Sequence, residues 1–263
     1  LRLVGSEMCI RDSSWNKNEI IELAANAVNP VTGEALNLTK LDIKGLGKAK
    51  YILKEGGTLG DLYTTSNLRF NDNGYVEVDK NGNLLMTDEG EDIYLGSVFP
   101  NHNLAWRNDF SYKGINLGIL FTARLGGVCY SATQANLDLY GVSEASAAAR
   151  DAGGVLINGR EMVDAQKWYQ AIGSQSGLPQ YYLYSATNVR LQELSLGYTF
   201  PRKWFRDKMG LTVSFVGRNL WMVYCKAPFD PEAVASTGLN YQGIDYFMMP
   251  SMRNLGFNVK FQF

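Results

Sequence analysis

The sequence predicts an all-β fold: an antiparallel transmembrane β-barrel segment, the C-terminal strands of a large outer-membrane barrel, with long extracellular loops. Three observations predict it. First, residues 254–263 alternate without a break. Leu255, Phe257, Val259, Phe261 and Phe263 share one face; Asn254, Gly256, Asn258, Lys260 and Gln262 share the other. Successive side chains of a strand point to opposite faces, so this strand can wall lipid from a wet lumen. Second, the connections alternate in length: short at 113–114 and 201–209, long near 67–101, 129–187 and 224–252. Outer-membrane barrels sort their turns this way, short on one side and long on the other. Third, the longest unbroken apolar run is Leu220 to Cys225. A spanning helix needs about 20 apolar residues, whereas a barrel strand needs only about 9–11 alternating ones.

The elements follow in chain order. Residues 1–13 show no strand alternation and lack the charged-then-apolar order of a signal peptide. They resemble a translated sequencing-adaptor prefix and are read as a non-native leader outside the fold, with the barrel portion at 14–263. Trp15 to Leu23 reads as a strand end or short helix, and 24–47 as loop. Tyr51-Ile-Leu53 is strand-like. Asn71-Asp-Asn-Gly74 and Asp79-Lys-Asn-Gly-Asn83 are turn sequences. The second imitates half of a calcium loop, but Gly90 stands where that loop needs glutamate, and a hairpin turn is the reading taken.

After Pro100 the pattern sharpens. Leu104, Trp106, Phe110 and Tyr112 alternate with Ala105, Arg107, Asp109 and Ser111. Lys113-Gly114 turns the chain. Ile115, Leu117, Ile119 and Phe121 then alternate with Asn116, Gly118, Leu120 and Thr122. Arg107, Asp109 and Arg124 would be costly in a dry core and are at ease in a wet lumen. Residues 129–187 form a long insertion with a short helix from Glu161 to Ile172. Such loops are usually functional. Leu194, Leu196, Tyr198 and Phe200 mark one further strand. Leu211, Val213 and Phe215 mark another, running on to Trp221.

Composition excludes several classes. Lys and Arg number 25 against 26 Asp and Glu, a net charge of −1, which argues against a nucleic-acid binder working through bulk charge. Cys9, Cys129 and Cys225 make no CxxC or metal pattern. Cys129 and Cys225 are read as inert thiols, with a disulfide between them as the alternative. The single histidine, His102, sits in a loop before a strand and cannot build a histidine metal site. There is no Gly-x-Ser-x-Gly elbow and no phosphate loop. The expectation is a non-enzyme with no catalytic residue, metal or cofactor. Asp88, Glu89, Glu91 and Asp92 read as a solvated acidic loop, with a cation site as the alternative. Asp230 and Glu232, flanking Pro231, read as shaping a turn or a partner contact.

Several segments together resemble the C-terminal part of a SusC/RagA family TonB-linked outer membrane protein, a TonB-dependent receptor. They are Ser195-Leu-Gly-Tyr-Thr-Phe-Pro201, Gly217-Arg-Asn-Leu-Trp221, Phe229-Asp-Pro-Glu232 and Leu255-Gly-Phe-Asn-Val-Lys-Phe-Gln-Phe263. Phe110-Ser-Tyr-Lys-Gly114 and Trp15-Asn-Lys-Asn18 fit the same family. The resemblance covers about residues 14–263, is strongest from 96 onward, and rests on the order and spacing of the motifs. It implies a barrel of about 22 strands with a plugged lumen, of which this chain would supply roughly the last six or seven. It also implies a SusD-like lipoprotein partner and import of glycans or peptides energised by TonB through an upstream plug region. The setting implied is the outer membrane of a Gram-negative, Bacteroidetes-like cell, with the lipid bilayer and the barrel-assembly machinery as further partners and no nucleic acid. A siderophore or vitamin receptor is the nearer alternative. A soluble β-rich carbohydrate-binding module is the more distant one. The loop aromatics Trp168, Tyr169, Tyr181 and Tyr182 are the candidate ligand contacts, since their flat amphipathic rings suit sugars or peptide side chains. Phe257, Phe261 and Phe263 are the candidate assembly signal.

Overall fold

The structure is a computed structural model that describes residues 5–24, 27–36, 38–87, 90–236, 238 and 241–263. Six long strands alternate with three long connections and two short ones. Strand β1 is Gly5–Trp15. The first long connection carries β2 (Lys40–Leu46), β3 (Ala49–Lys54), β4 (Asp61–Thr64), β5 (Asn67–Leu68), β6 (Met86–Thr87) and β7 (Ile93–Ser97). A hairpin follows, β8 (His102–Tyr112) and β9 (Ile115–Leu125). The second long connection carries β10 (Val128–Ser131), α1 (Ala132–Leu139), α2 (Glu144–Asp151), β11 (Val155–Ile157), β12 (Glu161–Val163), α3 (Ala165–Gly173) and β13 (Leu183–Ser185). Next come β14 (Asn188–Thr199) and β15 (Gly210–Cys225). The third long connection holds β16 (Ile244–Asp245), and β17 (Asn254–Gln262) closes the order. The long strands form one antiparallel sheet in the order β1-β8-β9-β14-β15-β17.

The register turns the alternation of single strands into a two-faced wall. Phe110 lies opposite Leu117, Leu117 opposite Leu196, Leu196 opposite Phe215, and Phe215 opposite Phe257. The neighbouring row, on the other face, runs Asp109, Gly118, Ser195, Val216, Gly256. Among the described residues no layer packs on the apolar face: Leu196 is 55% exposed and Phe257 80%. The polar face carries a ladder of charge. Arg107 holds Asp109 at 2.7 Å and Glu193 at 3.5 Å, and Arg218 holds Glu193 at 2.9 Å. Gly118 makes room for it, since a Cβ there would meet Ser195 Oγ at 2.5 Å and Asp109 Oδ1 at 2.8 Å.

The short connections share one end of the wall. Lys113 (φ 47°) and Gly114 (φ 89°) both take left-handed backbone, as a two-residue hairpin turn matched to strand twist requires. Gly114 accepts the amide of Thr199 at 2.7 Å, which ties the two short connections together. Phe200 packs on Tyr198 and Trp204 with ring centres 5.0 and 5.7 Å away, an aromatic cluster of the kind that borders a barrel's apolar band.

At the other end the three long connections fold into one lobe. Its core takes Tyr51 and Leu62 from the first connection, Tyr130, Ala135, Ile172 and Tyr182 from the second, and Ile244 from the third. Strand β10 is the seam, paired antiparallel with β13 and parallel with β16. Ser131 caps α1 by accepting the Gln134 amide and donates to Asp245 at 2.7 Å, joining helix to seam. The segment 24–47, expected as loop, contains β2. The helix expected at 161–172 is instead β12 followed by α3, because Asp164 caps the Lys167 amide and starts the helix there. The turn reading at 79–83 holds: the Asp79 carboxylate accepts the amides of Asn81 and Asn83, each at 2.8 Å. His102 opens β8 rather than sitting in a loop.

Residues 1–13 were expected outside the fold. Residues 1–4 lie outside the described residues, but 5–15 are a strand paired with β8 along its whole length. The open edge of β8 explains this: unpaired N–H and C=O groups accept any extended segment through the backbone, whatever its side chains. The side chains disagree with the wall. Glu7 pairs with Phe110 and Arg11 with Trp106 on the apolar face; Met8 and Ile10 pair with Asp109 and Arg107 on the polar face. The sheet thus has six strands, within the six or seven expected, and five of them, β8-β9-β14-β15-β17, are the strands whose alternation the sequence shows.

If the apolar face meets lipid, Ile119→Lys or Leu196→Arg in the full-length parent should cost about 2–4 kcal/mol. Asn258→Lys, on the polar face, should cost far less. Denaturant unfolding in bilayers measures both, and equal costs would remove the assignment of faces.

Candidate functional site

Wall and lobe meet around one buried arginine. Strand β14 is paired irregularly next to Arg190, with register shifts between Val189 and Arg190 and between Leu191 and Glu193. Opposite it, Asn219 takes left-handed backbone, φ 51°. These irregularities bend the strands where the lobe begins, a known use of bulges at barrel rims. Arg190 is 2% exposed, and its Nη2 reaches Asp230 at 2.9 Å and Glu232 at 3.3 Å. Its Nε donates to Asn188 at 3.3 Å and its Nη1 to Asn219 at 3.4 Å. Asp230 also accepts from the amide and hydroxyl of Ser251, and Asn219 donates to the Ser251 carbonyl at 2.8 Å. Burial pushes the Asp230 carboxyl up, but its bonds from Ser251 and Arg190 outweigh that and hold it below the usual carboxylate range. Asp230 and Glu232, expected to shape a turn or contact a partner, shape the turn at 230–233 and close this ion pair as well.

Beside the arginine opens a cleft of about 580 Å³. Leu220, Met222, Phe229, Met248 and Pro250 make it largely apolar, and Arg253 lies on it with Asp230. Its volume falls in the range of small-ligand sites. Ser251, whose hydroxyl is bonded to Asp230, also lines it, and the arrangement can hold a ligand or a chain segment. Among the described residues no cluster of His, Cys, Asp and Glu could hold a metal ion. Of the acidic cluster, Asp88 and Glu89 lie outside the described residues, and Asp92 pairs with Lys40 at 3.0 Å.

The four aromatic residues picked from the sequence do not line this cleft. Trp168 and Tyr169 sit on α3 and lean on the lobe core; Tyr181 and Tyr182 form a 3₁₀ turn beside it. Trp168 and Tyr181 meet edge to face at 5.9 Å. Tyr182 has to be withdrawn as a ligand contact, because it is 2% exposed and fills the core. Burial first, then the charge of Asp138, pushes its phenol well up. Tyr181, 44% exposed, keeps an open ring. Phe257 and Phe261 lie on the apolar face of β17, and Phe257 meets Phe215 at 5.5 Å. Cys9, Cys129 and Cys225 are free thiols, and burial is the first cause that pushes Cys129 up to about 12. Sequence reading missed Arg190. The available signal was a guanidinium between Val189 and Leu191 in a strand, with two carboxylates in a later loop to receive it.

No protein-family model matches the chain. It is 24% identical to TonB-dependent receptor P3 of Formosa agariphila over 278 aligned residues, covering 94% of this chain and 26% of the relative. Among solved structures it superposes on the RagAB peptide importer in the 'closed-closed' state with a TM-score of 0.61 and 20% identity, covering 99% of this chain and 27% of that one. The 'open-open' state gives a TM-score of 0.63 at 18% identity, with the same coverage. The chain thus spans about a quarter of the length of these relatives. The fold is that of a TonB-dependent transporter barrel segment, and the resemblance to SusC/RagA-type proteins stands. These relatives are a receptor and an importer.

Arg190→Met leaves Asp230 buried without its partner, and should cost about 3–5 kcal/mol. Hydrogen exchange should show residues 226–253 losing protection before the wall does. The sign with pH follows from the lowered carboxyl. The contact is fully present above the usual carboxylate range and is lost as pH falls below it through the folded value. Protection of 226–253 that is unchanged in acid would contradict this.

Proposed function

We propose that the chain is the C-terminal portion, residues 14–263, of the barrel domain of a SusC/RagA-type nutrient receptor of the outer membrane. The receptor imports glycans or peptides with a SusD-like lipoprotein and is energised by TonB through its plug region. The carrying observation is the division of the molecule. A wall with one exposed apolar face and one charged, polar face bears all its long connections, folded as a lobe, at a single end. A soluble carbohydrate-binding module would bury those apolar rows under a second sheet. The cleft beside Arg190 and the exposed ring of Tyr181 stand at the lobe end, where a ligand or capping partner would arrive.

The test is nutrient-limited growth. Deleting the parent gene from its Gram-negative host should abolish growth on a peptide or glycan source, and the tagged parent should co-purify with a SusD-like lipoprotein. Normal growth on both sources with failed uptake of a siderophore or vitamin would transfer the reading to that alternative. Trp168, Tyr169 and Tyr181 are retained as proposed ligand contacts. Alanine at Tyr181 should weaken ligand binding more than at Trp168, whose ring supports the core.

We also propose that Phe257, Phe261 and Phe263 form the signal read by the barrel-assembly machinery. Among the described residues β17 pairs with β15 alone, which leaves its other edge open to add to another sheet. Replacing Phe261 and Phe263 by Asp in the parent should lower the heat-modifiable, membrane-inserted fraction while export stays normal. Normal insertion would rule this role out. Residues 1–13 fit a non-native leader: a native strand in lipid would not place Glu7 and Arg11 on the apolar face. Removing them should leave the stability of the barrel unchanged.

A further inference from the structure

The short connection between β14 and β15 concentrates positive charge. Arg202-Lys-Trp-Phe-Arg-Asp-Lys208 puts Arg202, Lys203, Arg206 and Lys208 against the single carboxylate of Asp207, a net +3 in a chain whose total is −1. All four cations are exposed. None of them joins an ion pair among the described residues. Lys113, on the neighbouring short connection, is exposed too. The bond from the Thr199 amide to the Gly114 carbonyl keeps the two connections side by side.

The charges sit on a fixed turn. Residues Arg202–Phe205 form a 3₁₀ turn, and Arg206 and Asp207 follow in left-handed backbone at φ 54° and 60°. The amides of Trp204, Arg206, Asp207 and Lys208 donate to the carbonyls of Pro201, Lys203, Arg202 and Phe205 at 3.0–3.2 Å. These backbone bonds hold the turn without help from the charged side chains, which are left free for a partner. Arg202 Nε lies at the first residue of β15, 3.5 Å from the place a Cβ on Gly210 would take.

The apolar face of the wall runs up to this turn. Phe200 donates its amide to Leu211, and Leu211 lies opposite Phe261. Trp204 comes next, 68% exposed, its ring centre 5.7 Å from that of Phe200. The order along the wall is therefore apolar face, amphipathic indole, cations. A lipid leaflet has the complementary order of hydrocarbon, interface and phosphate. Basic segments beside an apolar surface attract anionic headgroups, and the guanidinium fork matches a phosphate.

We propose that this connection, together with Lys113, docks on anionic phospholipid headgroups of the leaflet at the short-turn end of the wall. Arg202, Lys203, Arg206 and Lys208 supply the counter-charge, and the Trp204 indole sits at the boundary with the acyl chains. The proposal rests on the outer-membrane reading and deepens it by naming the lipid chemistry that this end of the barrel recognises.

The test is fluorescence quenching of the full-length parent, reconstituted in vesicles carrying brominated phosphatidylglycerol or brominated phosphatidylcholine. The signal of Trp204 is taken as the difference between the parent and Trp204→Phe. Phosphatidylglycerol should quench it at least twofold more strongly than phosphatidylcholine. Replacing Arg202, Lys203, Arg206 and Lys208 by Gln should equalise the two lipids, while Arg202→Lys with Arg206→Lys should keep most of the preference. Salt of about 1 M should erase it with no substitution at all, since exposed charges are then screened within a few ångströms. Equal quenching of Trp204 by the two lipids at low salt would overturn the proposal. Equal quenching together with a periplasmic protein that co-purifies with the parent and is lost from the glutamine variant would assign the patch to a protein partner instead. Trp106 and Trp221, read out through their own Phe variants, test the wall separately. Quenching there by either lipid, with no preference at Trp204, leaves the membrane reading standing and removes the headgroup site alone. Absence of quenching at Trp106 and Trp221 would remove both.

Discussion

The buried guanidinium of Arg190 is the constraint on which the relation between wall and lobe depends. A charge that is 2% exposed must be matched, and its partners come from both sides of the boundary: Asn188 and Asn219 from the wall, Asp230 and Glu232 from the third connection. Ser251 adds a second layer by bonding Asp230 and Asn219 together. Each member satisfies another, which is the condition under which a buried polar network is tolerated at all. Two of the segments that carry the family resemblance converge here. Gly217 to Trp221 supplies the left-handed Asn219, and Phe229 to Glu232 supplies the carboxylates. Phe229 also meets Tyr184 edge to face at 5.5 Å, which brings the second connection to the same point. Motifs that looked separate in the sequence are one contact in space.

The wall itself depends on a different rule. Backbone pairing is indifferent to side chains, so it cannot choose a face; the alternation does. In β8, β9, β14, β15 and β17 the two agree, and whole rows such as Phe110, Leu117, Leu196, Phe215 and Phe257 line up. In β1 they disagree. Its backbone pairs along the full length of β8 while Glu7 and Arg11 fall on the apolar side. Backbone pairing and side-chain alternation are thus separate requirements, and β1 meets the first without the second.

This division also explains what was legible in the sequence. The wall was readable because a period of two is local: Leu255 to Phe263 states its faces without reference to any other segment. The hairpin at Lys113-Gly114 was readable because turn chemistry is local too. The lobe was not. Its strands are short, β5, β6 and β16 being two residues each, and are stabilised by contacts between segments far apart in the chain. Tyr51 donating to the Gln242 carbonyl is one such contact. Tyr182 was misplaced for the same reason. A tyrosine in a loop looks available to a ligand until the tertiary core that encloses it is known. Arg190 escaped notice because a buried charge is recognised by its surroundings, which a strand or helix pattern does not report.

The route by which β9 leaves the wall shows how the lobe is held. Gly126 and Gly127 take φ of 86° and 83°, a left-handed corner that side chains would oppose. A Cβ on Gly127 would meet the Val98 carbonyl at 3.0 Å, and one on Gly126 the Asn101 amide at 3.2 Å, so the corner is also packed closely. Val98, just after β7, accepts the Arg124 guanidinium at 3.2 Å, while Thr187, just before β14, accepts the Gly126 amide at 2.9 Å. The points where the first and second connections join the wall are therefore bonded to one another across the strand ends, and Arg190 fastens the third. A lobe seated at all three roots cannot swing on a single hinge. Movement of the lobe over the cleft would have to break the Arg190 network or the glycine corner, and of the two the Arg190 network is the one whose strength depends on charge.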